Sequence, residues 1–315
     1  MPRQARLDIP GLIHHVMARG IEGRDIFRHN DEREGFLQRL ADIVSGEGGP
    51  SLYAWALLSN HIHILLSPNE THLSTIMQRL LTGYAVNFNI HHKRIGHLFQ
   101  NRYKSIVVEE EPYFLELVRY IHLNPLRAGM VNGVTELDKY PFTGHSVIMG
   151  QRVYPIQDVN AVLSRFSRNR QTAQYEYRDF VEAGIKQGKR EELGGGGLIR
   201  SAGGAVELLL RDSASHEMAD ERILGGGDFV ESVLQTKNTV HSLHHVSVDD
   251  ILTEIAERSG MNVEIILGQS RERTVCKVRK EFYQRAHDEA GVSAAELGRM
   301  TGRTHFAVAK AIKRI

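Results

Sequence analysis

Cysteine is almost missing from this chain of 315 residues: Cys276 stands alone, so no disulfide can form within it. Long apolar runs are missing as well. No uninterrupted stretch approaches the ~18 apolar residues that span a bilayer, which sets membrane insertion aside. The opening Met1-Pro2-Arg3-Gln4-Ala5-Arg6 has no apolar signal-peptide core, so a cytoplasmic protein is expected. An excess of one charge is also lacking, since 39 Lys and Arg nearly balance 38 Asp and Glu. That balance hides a local asymmetry. From Gly268 to Ile315 eleven basic residues face five acidic ones, whereas from Asp212 to Leu267 three face eleven. The two glycine runs, Gly194-Gly195-Gly196-Gly197 and Gly225-Gly226-Gly227, lack the spacing and lysine of a phosphate-binding loop.

The length suits about two domains. In the first part, apolar strands at 13–18, 52–58, 61–66 and 103–108 alternate with helical periodicity at 31–44, 73–90 and 112–123. Ser59-Asn60 marks the turn of a hairpin whose two apolar strands should be central in the sheet. The order strand, helix, strand, strand, helix, strand, helix predicts an α+β fold, with a ferredoxin-like antiparallel sheet, helices on one face, and an added helix. A catalytic domain over 1–150, a linker and small helical middle region over 151–247, and a helical domain over 248–315 are the expected divisions. Within the middle region short helices are expected near 204–210 and 228–234. Asp249 or Asp250 is the expected N-cap of the helix that follows.

Alternation along a strand puts His61 and His63 on one face while Ile62 and Ile64 point to the other, so both imidazoles could meet one divalent ion. Paired histidines on a strand are more often structural. The helix carrying Tyr120 and Asn124, four residues apart on one face with Glu116 a turn earlier, changes the weighing. Pro125 disfavours helical geometry at Asn124, which should place that amide at an exposed helix end. A phenol is a poor nucleophile near neutral pH unless a base or cation assists it, and a metal that orients a phosphodiester would make one useful. His91 through Lys104 interleaves positive charge with Phe99 and Tyr103, which suits a groove that tracks a nucleic-acid backbone and stacks bases.

These segments resemble the HUH single-tyrosine transposases of insertion sequences, particularly the REP-associated branch. The resemblance covers about 9–148. It rests on Ala18-Arg19-Gly20, Trp55 through His63, Gly96 through Lys104, Tyr120-Ile121-His122-Leu123-Asn124-Pro125, and Arg127-Ala128-Gly129. It implies that His61 and His63 ligate Mg²⁺ or Mn²⁺ with Asn124 as third ligand. It further implies that Tyr120 attacks single-stranded, hairpin-forming DNA to leave a 5′-phosphotyrosine and a free 3′-hydroxyl. Relatives that carry glutamine one turn after the tyrosine differ from this chain, whose Asn124 is one methylene shorter. Arg19, Lys93, Arg94, Arg102 and Lys104 are candidate DNA contacts. His122 is expected to be structural or to touch DNA, and a homodimer sharing its tyrosines is one possible assembly.

Near the C-terminus, residues 293–300, the turn Thr301-Gly302 and residues 304–315 form a helix-turn-helix pattern. The region 248–315 resembles the DNA-binding domain of the replication initiator DnaA, through Gly268-Gln269-Ser270-Arg271 and Gly302-Arg303-Thr304-His305-Phe306-Ala307-Val308. By that resemblance Arg271 would enter a minor groove, and Arg303, Thr304 and His305 a major groove of duplex DNA. Residues around His305 depart from that family's pattern, so base preference does not transfer. The expectation is a metal-dependent DNA-cleaving and strand-transferring enzyme tethered to duplex DNA. A non-catalytic DNA-binding regulator of the same fold is the opposing class, and a replication-initiating or conjugative nuclease is the runner-up among enzymes.

Overall fold

Each apolar strand run of the first 110 residues becomes a strand of one sheet in the computed structural model, which describes residues 6–188, 190, 193, 220–243, 247–290 and 292–312. The elements are β1 (Ile13–Arg19), α1 (Asn30–Val44), β2 (Ser51–Leu57), β3 (His61–Ser67), α2 (Leu73–His91), β4 (Lys104–Val108) and α3 (Glu110–His122). The strand order is β2-β3-β1-β4-β5, where β5 is the short Ile223–Leu224. β1 lies between the parallel strands β3 and β4, and β3 between β1 and β2, so both helical crossovers skip a strand. This is the expected ferredoxin-like order, and the fold of this part is α+β.

The expected helices are on one face and more. Val16, Ala18, Ile62 and Ile64 face α1 and α2, packing on Phe36, Leu40, Ile76 and Leu80. Ile13, Leu65, Ile106 and Val108 face the other way, onto Phe114, Leu117, Val118 and Ile121 of α3. The sheet is therefore covered on both sides, which is why its strands read as continuous apolar runs. It is also mixed rather than wholly antiparallel, because β5 pairs parallel with β4. Only β3 of the hairpin is central. β2 is an edge strand whose free hydrogen-bonding groups are taken by neighbouring loops, Leu57 N donating to Phe142 O and Asp158 N to Leu52 O.

Local caps set the helix starts. Glu32 accepts the backbone N–H of His29 and Arg28 at the head of α1, and the Asp8 carboxylate accepts those of Leu73 and Ser74 at α2. Beyond α3 come α4 (Asn124–Arg127), α5 (Val134–Lys139), α6 (Gly144–Ile148), α7 (Val159–Leu163) and α8 (Arg170–Ala183). α7 and α8 add Val162, Leu163, Ala173, Tyr177 and Val181 to the core under α3. Much of the stretch expected to link domains thus packs on the sheet, each fully buried apolar side chain contributing about 1.5–3 kcal/mol. The Gly194–Gly197 run and the helix expected near 204–210 lie outside the described residues. The helix expected at 228–234 is the longer α9 (Gly227–Leu243).

Two compact units divide the chain, 1–233 and 234–315. The second contains α10 (Val248–Ser259), α11 (Val263–Leu267), α12 (Arg273–Asp288), α13 (Ala294–Met300) and α14 (His305–Ile312). Ile251, Ile255, Ile266, Phe282, Leu297 and Val308 form its core. Ser247, not Asp249 or Asp250, caps α10 by accepting Asp249 N, and both aspartates sit in the first turn, where the helix dipole favours them. No described helix is long and apolar enough to cross a membrane.

Candidate active site

Register and alternation assemble the site. His15, Met17 and Arg19 of β1 share the α3-facing side with His61, His63 and Leu65 of β3, in the pairs Arg19↔His61, Met17↔His63 and His15↔Leu65. Met17 also pairs with Lys104 of β4, which puts that lysine on the same face. α3 brings Tyr120 against the histidines, its ring centroid 5.8 Å from that of His63 and 6.0 Å from that of His15.

The His61 ring is held from its own turn. Its Nδ1 lies 2.6 Å from Asn60 Oδ1, and Asn60 Nδ2 donates to the Gly23 carbonyl at 3.0 Å. Because a carbonyl only accepts, the Asn60 amide is oriented with oxygen toward His61, so His61 Nδ1 carries the proton and Nε2 the lone pair. The loop that offers Gly23 is tight: Glu22 has φ 54°, and a Cβ on Gly20 would lie 2.1 Å from the Arg24 carbonyl oxygen. His63 is 5% exposed, its Nδ1 2.9 Å from Nε2 of His15. Burial pushes His61 down to about 4, with Arg19 adding repulsion, and holds His63 well below the ordinary imidazole range, with His15 and His61 adding theirs. Both rings are therefore neutral at pH 7, the state that can ligate a cation.

Asn124 is not at an exposed helix end. α3 stops at His122, and Asn124 opens α4 with Pro125 in its first turn, where a proline needs no amide hydrogen. Its side chain is 9% exposed, with Nδ2 donating to the carbonyls of Tyr120 at 2.9 Å and Ile121 at 3.3 Å. Only its Oδ1 is left to act as a ligand. The same turn brings in Arg127, whose guanidinium carbon is 5.3 Å from the Tyr120 ring centroid. Glu116 is spent elsewhere, holding Arg119 at 2.6 Å and Arg190 at 3.3 Å. His122 is fully buried and structural: its Nδ1 is 2.7 Å from the Tyr177 hydroxyl, which also lies 2.9 Å from Nδ1 of His145.

The candidate DNA contacts separate. Arg19 and Lys104 lie on the histidine face, and the 98–100 segment runs beside Arg19, with Gln100 N donating to Arg19 O. Lys93 and Arg94 instead follow α2 on the far side of the sheet, where Arg94 bonds Asn89 Oδ1 and lies over Phe88. Arg102 is exposed beside a groove of about 740 Å³ along α2 that Phe99 also lines. Tyr103 is 8% exposed with Arg6 over its ring at 3.9 Å, so it offers no stacking platform. Glu32, His91 and His92 also cluster closely enough to hold an ion, but Glu32 is already the cap of α1 and Arg28 lies 3.3 Å from His92 Nδ1.

In the second unit Arg271, Thr304 and His305 are exposed, as is Phe306 at 78%. Arg303 is half-buried and donates through Nη2 to Ser270 O, so it braces the Arg271 loop instead of projecting freely. Sequence reasoning missed His15, Arg127, Asn60 and Phe306 as site residues. The period-two series Ile13, His15, Met17, Arg19 was the available signal for the first.

Residues 9–124 match the model of the family described as IS200-like transposases. A solved structure of a REP-associated tyrosine transposase bound to a REP hairpin is similar to this chain at 19% identity, covering 50% of this chain and 90% of that one, with a TM-score of 0.39. No curated protein matches. The segment that matches the IS200-like transposase model runs from just before β1 to Asn124 and contains His61, His63 and Tyr120.

Proposed function

We propose that the N-terminal unit is an HUH single-tyrosine nuclease and strand transferase acting on single-stranded, hairpin-forming DNA. The observation that carries this reading is the meeting of Tyr120 with neutral His63, whose ring in turn meets that of neutral His61, on one face of the sheet. The donor set fits a divalent cation, because the Nδ1 atoms of both histidines are engaged by other partners, which leaves their Nε2 atoms as the donors. Mg²⁺ or Mn²⁺ held by His61, His63 and the Asn124 side-chain oxygen would polarise a phosphate oxygen and orient the diester. Imidazole donors favour Mn²⁺ of the two, as the harder Mg²⁺ prefers oxygen.

Tyr120 supplies the nucleophile. Its oxygen bonds to phosphorus as the bond to the 3′-oxygen breaks, the phenol loses its proton, and the departing 3′-oxygen gains one. The 5′ end stays on the tyrosine as a diester, and attack by a 3′-hydroxyl reverses the exchange without an external energy source. Arg127 favours the developing phenolate by its charge. Arg19 and Lys104, flanking the histidines, offer cations to the strand's phosphates. The C-terminal unit binds duplex DNA through α14 and the Arg271 loop, tethering the nuclease near its target.

Incubation with a labelled hairpin oligonucleotide and Mn²⁺ tests this directly. The parent should form an adduct that survives denaturation, and Tyr120→Phe none. Equal adduct from Tyr120→Phe would remove Tyr120 as nucleophile, and a parent that binds the hairpin without forming any adduct would favour the regulator.

A further inference from the structure

We infer that His15 is a positioning residue that fixes the proton of His63, so that the ring presents a bare Nε2 to the cation; this rests on the metal reading of His61 and His63 given above. Three groups lie in series. The Leu193 carbonyl oxygen is 3.2 Å from His15 Nδ1, and His15 Nε2 is 2.9 Å from His63 Nδ1. A backbone carbonyl has no proton to give, so His15 Nδ1 must donate to it. In the neutral ring His15 Nε2 is then an acceptor, and His63 Nδ1 is the group that donates to it. His63 Nε2 is left with its lone pair.

The ring geometry agrees. The two imidazoles are within 24° of coplanar with centroids 5.2 Å apart, which for nitrogens 2.9 Å apart means that the rings meet edge to edge, along the in-plane lone pair. Fold geometry explains why His15 can do this. It sits diagonally across the β1–β3 ladder from His63, opposite Leu65, at a spacing that a long or aromatic side chain bridges. His15 and Leu193 are both fully buried in the core under α3, so water does not compete for either bond.

The pattern parallels His61, whose Nδ1 is engaged by Asn60. One histidine is set by a turn residue next to it, the other by a histidine one strand away and a carbonyl from residue 193. Metal-bound histidines generally need such a partner on the second nitrogen, and losing it costs about 10–100-fold in affinity.

Long-range ¹H–¹⁵N correlation of the imidazoles in the full-length chain without metal reads the tautomer directly. His63 should carry its proton on Nδ1, and a proton on Nε2 overturns the proposal. Mn²⁺ affinity supplies the second readout. His15→Leu should weaken binding by about 10–100-fold. His15→Gln, whose amide can accept from His63 and donate to Leu193, should stay within about threefold of the parent. If His63→Ala abolishes binding while His15→Leu leaves it unchanged, the positioning role is wrong and the metal reading survives. If His63→Ala changes nothing, the metal reading has failed, whereas the tautomer measurement still decides the hydrogen-bond chain. Should His15→Leu fail to fold, a His15→Gln chain that folds but binds as poorly as His63→Ala overturns the proposal.

Discussion

Asn60 holds His61 through a 2.6 Å contact from Oδ1 to Nδ1, and is itself pinned by the Gly23 carbonyl 37 residues earlier in the chain. The tight loop at 20–24 therefore reaches the metal-binding candidate through one amide. Replacing Asn60 by alanine frees the His61 ring to rotate and to change tautomer. Mn²⁺ affinity measured by calorimetry should fall about 10-fold or more. Cleavage should recover at high Mn²⁺, because Tyr120 is untouched. An unchanged affinity would show that His61 needs no such partner.

Arg127 sits over the Tyr120 ring, with its own pKa drawn down chiefly by burial. It remains a cation at neutral pH. A phenolate is favoured by that charge, so Arg127→Gln should shift the rising limb of the cleavage pH–rate profile to higher pH. At pH 7 the loss should be about 10-fold, equivalent to ~1.4 kcal/mol. Arg127→Lys should retain part of the rate. A uniform loss at every pH would assign Arg127 to packing or substrate binding instead.

Much of this architecture is legible in sequence because period-two and helical periodicity survive in it: β1, β3, β4 and the helices α1, α2 and α3 fall where the apolar spacing puts them. Topology explains what was not legible. Continuous apolar strands told of burial on two faces, yet not that α3 through α8 supply the second cover, since that depends on contacts such as Tyr177 with His122 across 55 residues. Edge position of β2 was hidden for the same reason, because loops at 142–143 and 157–158 bury it. His15 was invisible as a site residue because its meaning arises only from the register that sets it diagonal to His63.

His14 is the opposite face of the same dipeptide. It is fully buried against the α1 and α2 side, neither ring nitrogen has a partner in good hydrogen-bond geometry, and burial pushes its pKa down to about 4, outweighing the Asp8 charge and a weaker backbone contact at Ile9. Above about pH 6.5 the ring is neutral folded or unfolded and stability is independent of it. Between pH 6.5 and 4 the unfolded chain takes up a proton that the folded chain refuses, so stability falls as pH falls, by up to about 1.4 kcal/mol per pH unit for each such histidine. His14→Leu should raise stability at pH 7 by about 1–3 kcal/mol by removing unpaired buried polar atoms. It should also flatten the acid slope by one proton. Urea denaturation at pH 7 and pH 5 reads both, and an unaltered slope would mean that His14 is protonated in the folded state.

The C-terminal unit allows charge and shape to be tested apart. Arg279 is almost fully buried and donates to the carbonyls of Ile265, Ile266 and Ser270, which holds in place the loop that carries exposed Arg271. Arg303 reaches the same Ser270 carbonyl from the start of α14. Loop and helix are thus braced at one atom, presenting Arg271 beside Thr304, His305 and the exposed Phe306. A chain ending at Ser247 should cleave a short single strand as the parent does but lose duplex affinity. Within the full chain, Arg271→Ala should weaken duplex binding and reduce the slope of log affinity against log salt by about one unit. Phe306→Ala should weaken binding with the slope unchanged, since an apolar contact with a thymine methyl releases no counterion. Equal duplex affinity for the shortened chain would sink the tether. Equal slopes for Arg271→Ala and the parent would keep the tether and move the phosphate contact to another cation.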